Sequence, residues 1–224
     1  MMKIRNLRWL LVGLVALCVC MAFVKAPATL GVSAELSNGQ YQLSGGTQPW
    51  ALALAVLIIC SYLALMYAEP SEDRRPLPGV FRRLIASWLD LYLAMMAFAP
   101  ILGLVVSVTE WRRTGIFEWS FERDYSVASD WLLALGGGAL SMVVLVLYFA
   151  WPLVRRMPSP GACIVGYQVV ADDGTSLSLG KAVQRTLLGF VALSAWFLAP
   201  FVARERGKGK FWLDKVFGTR AVRI

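Results

Sequence analysis

Histidine is absent from these 224 residues, which removes the commonest general acid–base side chain and a frequent zinc ligand together. No Gly-rich phosphate loop ending in Lys-Ser or Lys-Thr occurs, and there is no Gly-x-Ser-x-Gly elbow. No carboxylate pair sits on one scaffold for acid and base work either, so the chain is expected not to be an enzyme. Cysteine is sparse: Cys18, Cys20 and Cys60 lie in apolar runs and Cys163 falls in an expected loop. None has metal-ligand spacing, so they read as small apolar fillers, with no metal and no cofactor expected. Charge is scarce as well. Charged residues make up 16% of the chain against 58% hydrophobic, and the mean hydropathy is +0.62. That is too apolar for a soluble domain of this length.

What is present is a series of long apolar runs. Trp9 to Val24, Trp50 to Ala68, Phe81 to Val106 and Trp131 to Val154 each suit a membrane span, several of them flanked by interfacial Trp or Tyr. The net charge of +8 does not point to nucleic acid, because the basic residues sit at the ends of apolar runs and form no continuous stripe. Placing 1–8, 69–83, 155–186 and 204–224 in the cytoplasm puts 18 of the 22 Lys and Arg on one side, against anionic headgroups. The expectation is a multi-pass protein of a bacterial inner membrane. Leu187 to Ala203, bounded by Arg185 and Arg204, must then enter and leave on the same side, which makes it a re-entrant or tilted segment bending near Ala199-Pro200. The expected fold class is therefore an all-α membrane bundle of four transmembrane helices plus a short fifth hydrophobic segment.

Three parts follow from the pattern. Residues 1–70 form an N-terminal pair of spans around an external loop at 25–49, whose Tyr41-Gln-Leu is too brief to read as a strand. The first run is also compatible with a signal peptide, since Ala26-Pro27-Ala28 and Val32-Ser33-Ala34 are small-residue cleavage motifs, but it is longer than a usual signal core and reads first as an uncleaved anchor. Residues 71–78 are a proline-rich cytoplasmic linker. Residues 79–224 form the main membrane domain. Its external loop, Ser107 to Asp130, carries three arginines against five carboxylates and many aromatics, and reads as an ordinary external loop with an aromatic belt or amphipathic helix at the interface, ahead of an acidic vestibule for cations.

The main domain opens with an apolar helix that carries charge. Arg83 and Asp90 are seven residues apart, two helical turns, so they share a face about 10 Å apart along the axis. Ser87, Ala94 and Ala97 continue that face, a helix-packing or cavity stripe on which an ionisable residue points into a bundle or wet cavity. Gly136, Gly137 and Gly138 in the fourth span are a second candidate packing or cavity face. After Arg155-Arg156 come Ser159-Pro-Gly, an apolar element, a strand-like Tyr167 to Val170, an Asp173-Gly174 turn, a strand-like Ser176 to Ser178, and Ser178 as a helix cap. These make a small cytoplasmic β element. The C-terminal Trp212-Leu-Asp-Lys-Val-Phe reads as a short interfacial helix, followed by an alternating tail that should pair with Tyr167 to Val170. Arg83 and Asp214 are expected to meet at that inner interface, leaving Asp90, two turns deeper, either as the candidate to hold an ion or proton or as a carboxylate satisfied by helix hydroxyls or by a long Arg83 side chain reaching inward.

From about Pro78 to Ile224 the chain resembles the RDD family of small membrane proteins, named for one arginine and two aspartates. Arg83 matches the family arginine, Asp90 the first aspartate and Asp214 the second, with Gly218-Thr219 after it. Pro160-Gly161 matches the family Pro-Gly, and Gly166 with Val169-Val170 its following strand. Ala162 stands where the family usually has Lys, and Leu213 where His is common. The resemblance implies transport, with cation/proton exchange proposed for some members. Asp90 is then the ion- or proton-binding candidate, with Arg83, Asp90 and Asp214 as the family charge cluster. The alternative is an accessory or assembly subunit of a membrane complex, in which those residues form a structural cluster. Expected partners are a bilayer with anionic headgroups, a second copy or other membrane subunits, and a small cation or proton, with no nucleic acid.

Overall fold

The computed structural model describes residues 4–24, 31–37, 40–67, 80–125, 128–194 and 212–224. In order these are α1 (Ile4–Val24), β1 (Gly31–Ser37), β2 (Gln40–Gly46), α2 (Pro49–Met66), α3 (Val80–Thr114), β3 (Ser120–Tyr125) and α4 (Ala128–Arg155). Then follow α5 (Pro160–Val165), β4 (Tyr167–Ala171), α6 (Leu179–Ser194), α7 (Trp212–Phe217) and β5 (Thr219–Arg223).

Three helices are long and apolar enough to cross a membrane: Pro49–Met66, Phe81–Thr114 and Gly136–Arg155. The expected count of four is thus three among the described residues, because the apolar stretch of α1, Leu7–Ala22, is shorter. The third span also runs further than expected, continuing as helix to Thr114 where an external loop was anticipated from Ser107. Pro100 lies inside it, with no N–H to offer the Met96 carbonyl. Of the fifth segment, α6 covers the part up to Ser194, while the expected bend at Ala199-Pro200 lies outside the described residues.

The protein divides into two compact units. One comprises Leu14–Cys60 and Leu93–Val143. It contains a three-stranded antiparallel sheet in the order β1-β2-β3, with Gly31 opposite Gly46 and Tyr41 opposite Tyr125. The sheet corrects the expected all-α external region: Tyr41-Gln-Leu, too short to count alone, is the start of a strand paired on both sides. An edge-to-edge partner supplied by Phe121–Asp124, far along the chain, is what stabilises it.

The other unit comprises Met1–Gly13, Ser61–Tyr92 and Val144–Ile224, and it holds the site. β4 and β5 pair antiparallel, Tyr167 opposite Arg223 and Ala171 opposite Thr219, as the alternating tail led us to expect. Ser176 to Ser178, expected as a second strand, is not one; the tail occupies the edge of β4 instead. α6 begins directly after Ser178, whose carbonyl accepts from Ala182 N–H at 2.9 Å. α4 ends at Arg155, and Arg156 after it adopts the left-handed region (φ 53°). Pro152 near that end cannot donate to the carbonyl of Tyr148, four residues earlier. The Tyr62 hydroxyl donates to that oxygen instead, at 2.9 Å, with the two tyrosine rings stacked 4.7 Å apart. A proline inside a span is tolerated when a neighbouring helix satisfies the freed group in this way.

Three apolar clusters fill this unit. Leu7, Leu11, Leu65, Met157 and Cys163 pack together, so the start of α1 packs with residues of the main domain. Ala86, Ala162, Tyr167 and Ala221 form the second, and Ala150, Leu153, Leu177 and Ala182 the third. Cys163, placed by sequence in a loop, is on α5 and fully buried, where burial pushes its thiol up to about 12 against the lowering influence of Arg8.

Candidate functional site

The site grows from one face of α3. Arg83 and Asp90 project from it two turns apart, and each grips a different segment of the chain.

Asp214 is carried in by α7 and is fully buried. Arg83 Nη1 donates to its Oδ2, and Arg185 Nη2 on α6 donates to its Oδ1 at 2.8 Å. The Thr219 hydroxyl, the first residue of β5, donates to the same Oδ1 at 3.1 Å and accepts from Arg185 Nε at 3.3 Å. One carboxylate thus joins four elements. Burial alone would raise the Asp214 carboxyl, but the two guanidiniums and their hydrogen bonds hold it below the usual carboxylate range. The expected meeting of Arg83 and Asp214 is present, and Arg185 is the partner that sequence reasoning missed. Arg185 entered that reasoning as the boundary of an apolar segment, and its position on the inward face of α6 depends on where β5 and α7 fold back.

Asp90 is 4% exposed and grips a different segment. Its Oδ2 accepts from the Ser159 hydroxyl at 2.5 Å and its Oδ1 from the Gly161 N–H at 2.6 Å. Ser159 is also the N-cap of α5, accepting from Ala162 N–H at 3.3 Å, and Pro160 occupies the first helical position, where its missing N–H costs nothing. Gly161 is required by contact. A Cβ there would lie 2.9 Å from both Asp90 Cγ and Asp90 N, and nearer still to the Ala86 carbonyl oxygen. At the far end of α5, Gly166 adopts φ 84° and its N–H closes the helix on Ala162 and Cys163. No ion pair joins Asp90 to any described residue.

Between these two grips lies a cavity of about 170 Å³, bordered by Arg83, Ser87, Asp90, Ser159, Arg185 and Thr186 among others. Ser87 donates back to the Arg83 carbonyl at 3.0 Å. Ala94 and Ala97, the other residues expected on this face, are buried. At Gly136, Gly137 and Gly138 the structure brings nothing together: a Cβ on any of them would meet no atom within 4 Å. The packing face expected there has no neighbour among the described residues. Signals for the missed residues were partly visible. Ser159-Pro160 has the form of a helix start, yet nothing local says that its hydroxyl faces Asp90.

A model of the RDD family matches residues 77–218, more than half of the chain. The chain belongs to the RDD family. Comparison with curated proteins and with solved structures gave no match. In this RDD protein Arg83 and Asp214 form one direct ion pair, and Asp90 stands apart from it.

Proposed function

We propose that this RDD protein is a small membrane transporter that carries protons, with or without exchange for a small cation, and that Asp90 is the residue that binds the transported ion. The observation that carries this reading is the position of Asp90: a carboxyl group inside a membrane-spanning helix, buried, without an ion-pair partner among the described residues, and on the wall of a cavity. Arg83 cannot serve as its permanent counter-ion because Asp214 holds it. In this reading α1 crosses the membrane as a fourth span. Two or more copies complete a path that so few helices barely enclose. The basic ends lie against anionic headgroups on the cytoplasmic face of an inner membrane, and no covalent chemistry is involved.

A second reading is favoured by one specific observation. Both Asp90 oxygens already accept short hydrogen bonds, from Ser159 and Gly161, which is what a latch fastening α5 to α3 requires. The protein would then be an accessory or assembly subunit with structural charges. Proteoliposome flux decides between them. Proton flux driven by a cation gradient, abolished in Asp90→Asn while the melting temperature is retained, is expected for transport. Asn can still accept from the Gly161 N–H, so the variant keeps much of the latch. Flux no greater than that of empty vesicles would overturn transport and leave the latch.

A further inference from the structure

Both oxygens of Asp90 are met by hydrogen-bond donors, Oδ1 by the Gly161 N–H and Oδ2 by the Ser159 hydroxyl. A hard metal cation takes several oxygen ligands, and no group of three or more His, Cys, Asp or Glu side chains gathers for one among the described residues. Arg83 and Arg185 border the same cavity and repel a cation that approaches through it. A proton has simpler needs: an acceptor oxygen and a neighbour able to give up its own proton. Among the described residues the hydrogen-bond partners of Asp90 are Ser159 and Gly161. The Gly161 amide proton stays with the backbone, whereas a hydroxyl donates, accepts and rotates between the two. Ser159 donates to Asp90 and accepts from the Ala162 N–H, which leaves it a second acceptor lone pair. Ser159 borders the cavity and keeps partial exposure, while Asp90 behind it is buried. At about 170 Å³ the cavity has room for several waters, each of which needs roughly 10–15 Å³.

We infer that Ser159 hands protons to Asp90, and that the cavity is the aqueous space from which they come. The inference rests on the reading of Asp90 as the ion-binding residue and narrows its ion to the proton. In the step, a hydronium in the cavity gives a proton to Ser159 Oγ as the hydroxyl proton of Ser159 passes to Asp90 Oδ2. One O–H bond forms and one breaks at Oγ, the hydronium becomes water, and the carboxylate becomes a neutral acid. The new Oδ2–H then donates to Oγ along the same line, with the Gly161 N–H still on Oδ1, so α5 stays fastened to α3 in both protonation states. Release runs the step backwards. The other groups that feel the Asp90 charge, Tyr62 on α2, Tyr148 on α4, Cys163 on α5 and Tyr167 on β4, are neutral side chains at pH 7. Arg83 and Arg185 are held by Asp214, so the handover needs no second titration.

The test follows protonation of the full chain in detergent by time-resolved infrared spectroscopy after a light-triggered drop in pH. The signal is the carboxylic acid C=O band that is missing in Asp90→Asn. Ser159→Asn is the deciding variant: its side-chain oxygen can cap α5 and its NH2 can donate to Asp90, but an amide does not pass its proton on. The band should rise about a hundredfold more slowly in Ser159→Asn and Ser159→Ala than in the wild type, the lower end of what a positioned proton-transfer group contributes. Ser159→Thr, which keeps the hydroxyl, should recover most of the rate. Protonation of Ser159→Asn at the wild-type rate overturns the inference, as does the absence of an Asp90 band at any pH. Should the melting curve of Ser159→Asn show that it does not fold, the rate in Ser159→Ala decides in the same way. Proteoliposome flux separates this proposal from the transport reading. Absent flux with Ser159-dependent protonation removes transport alone, and undiminished flux in Ser159→Asn removes the handover alone.

Discussion

Replacing Gly161 by alanine tests whether Asp90 fastens α5 to α3. The new methyl group would sit 2.9 Å from Asp90 Cγ and Asp90 N, and closer to the Ala86 carbonyl oxygen. Two of these three atoms are backbone of α3, which cannot rotate away as a side chain can. Relief must come from α5 moving outward, and that movement stretches the Gly161 N–H to Asp90 bond of 2.6 Å together with the Ser159 bond of 2.5 Å. Overpacking costs about 1–3 kcal/mol, and losing a hydrogen bond to a charged group about 1.5–3 kcal/mol. The expected loss is therefore roughly 2.5–6 kcal/mol, or a melting temperature lower by about 5–24 °C for a chain of this size. Gly189→Ala is the control, a helical glycine whose Cβ would meet nothing within 4 Å. It should be neutral or stabilising by about 0.5–1 kcal/mol, because alanine is the better helix former.

The assay is thermal unfolding of the purified protein in one detergent, followed by a double-mutant cycle with Asp90→Ala. Once Asp90 is gone, Gly161→Ala has one bond fewer to break, so the two losses should sum to more than the double variant shows. A Gly161→Ala protein that melts with the wild type would refute the close approach of α5 to α3. Strict additivity would refute the view that Asp90 and Gly161 act as a unit.

Asp214 should make stability sensitive to acid. Its folded carboxyl lies below its unfolded value, so the stabilisation is present above pH of about 4 and is lost as the pH falls through the folded value. Melting curves from pH 7 down to 3 should fall steeply for the wild type and more gently for Asp214→Asn, whose curve starts lower; parallel curves would contradict the assignment. Asp214→Ala, which strands two buried guanidiniums, should cost about 3–5 kcal/mol, whereas Arg185→Ala, which leaves the Arg83 bond, should cost about 1.5–3 kcal/mol; a reversed order in chemical unfolding would show that Arg185 carries the cluster. Leu7→Ala should destabilise by about 2–5 kcal/mol, because Leu7 fills a core with Leu65, Met157 and Cys163. The same packing predicts that α1 is retained, so intact-mass spectrometry finding a mature chain that begins after Ala28 or Ala34 would refute it.

Long-period features were readable from the sequence, and short-range ones depending on distant partners were not. Apolar runs located α2, α3 and α4, because a span is written in its own residues. The Arg83 to Asp214 contact was also accessible, since the sequence reading put the mouth of α3 and the short C-terminal helix at one depth and matched both residues to one family motif. The pairing of β4 with β5 followed from the alternating tail. The β1-β2-β3 sheet was hidden because β2 is polar and short, and its stability comes from β1 and β3 on either side, the latter nearly eighty residues away. The helical continuation of α3 from Ser107 to Thr114 was hidden for another reason: a stretch mixing charges with aromatics reads as an interfacial loop, whereas its backbone continues the helix. Ser159 and Arg185 escaped because their role is a direction in space, and neither periodicity nor composition encodes it.

The spacing of Arg83 and Asp90 now has a geometric meaning. Two turns apart on one face of α3, they reach two segments that are themselves bound together: α5 runs through Gly166 into β4, and α7 runs through Gly218 into β5. Asp90 fixes the first segment through Ser159 and Gly161, and Arg83 fixes the second through Asp214. The β4–β5 ladder closes the loop, with Ile224 N–H reaching the Gly166 carbonyl at 3.3 Å and Asp172 N–H reaching the Gly218 carbonyl at 2.8 Å. Shifting either charge by one residue would turn it about 100° around the helix and break its grip. The arrangement also fixes where chemistry can occur. These committed groups hold the cap in place, and the cavity lies between the two grips, bordered by Arg83, Asp90 and Arg185.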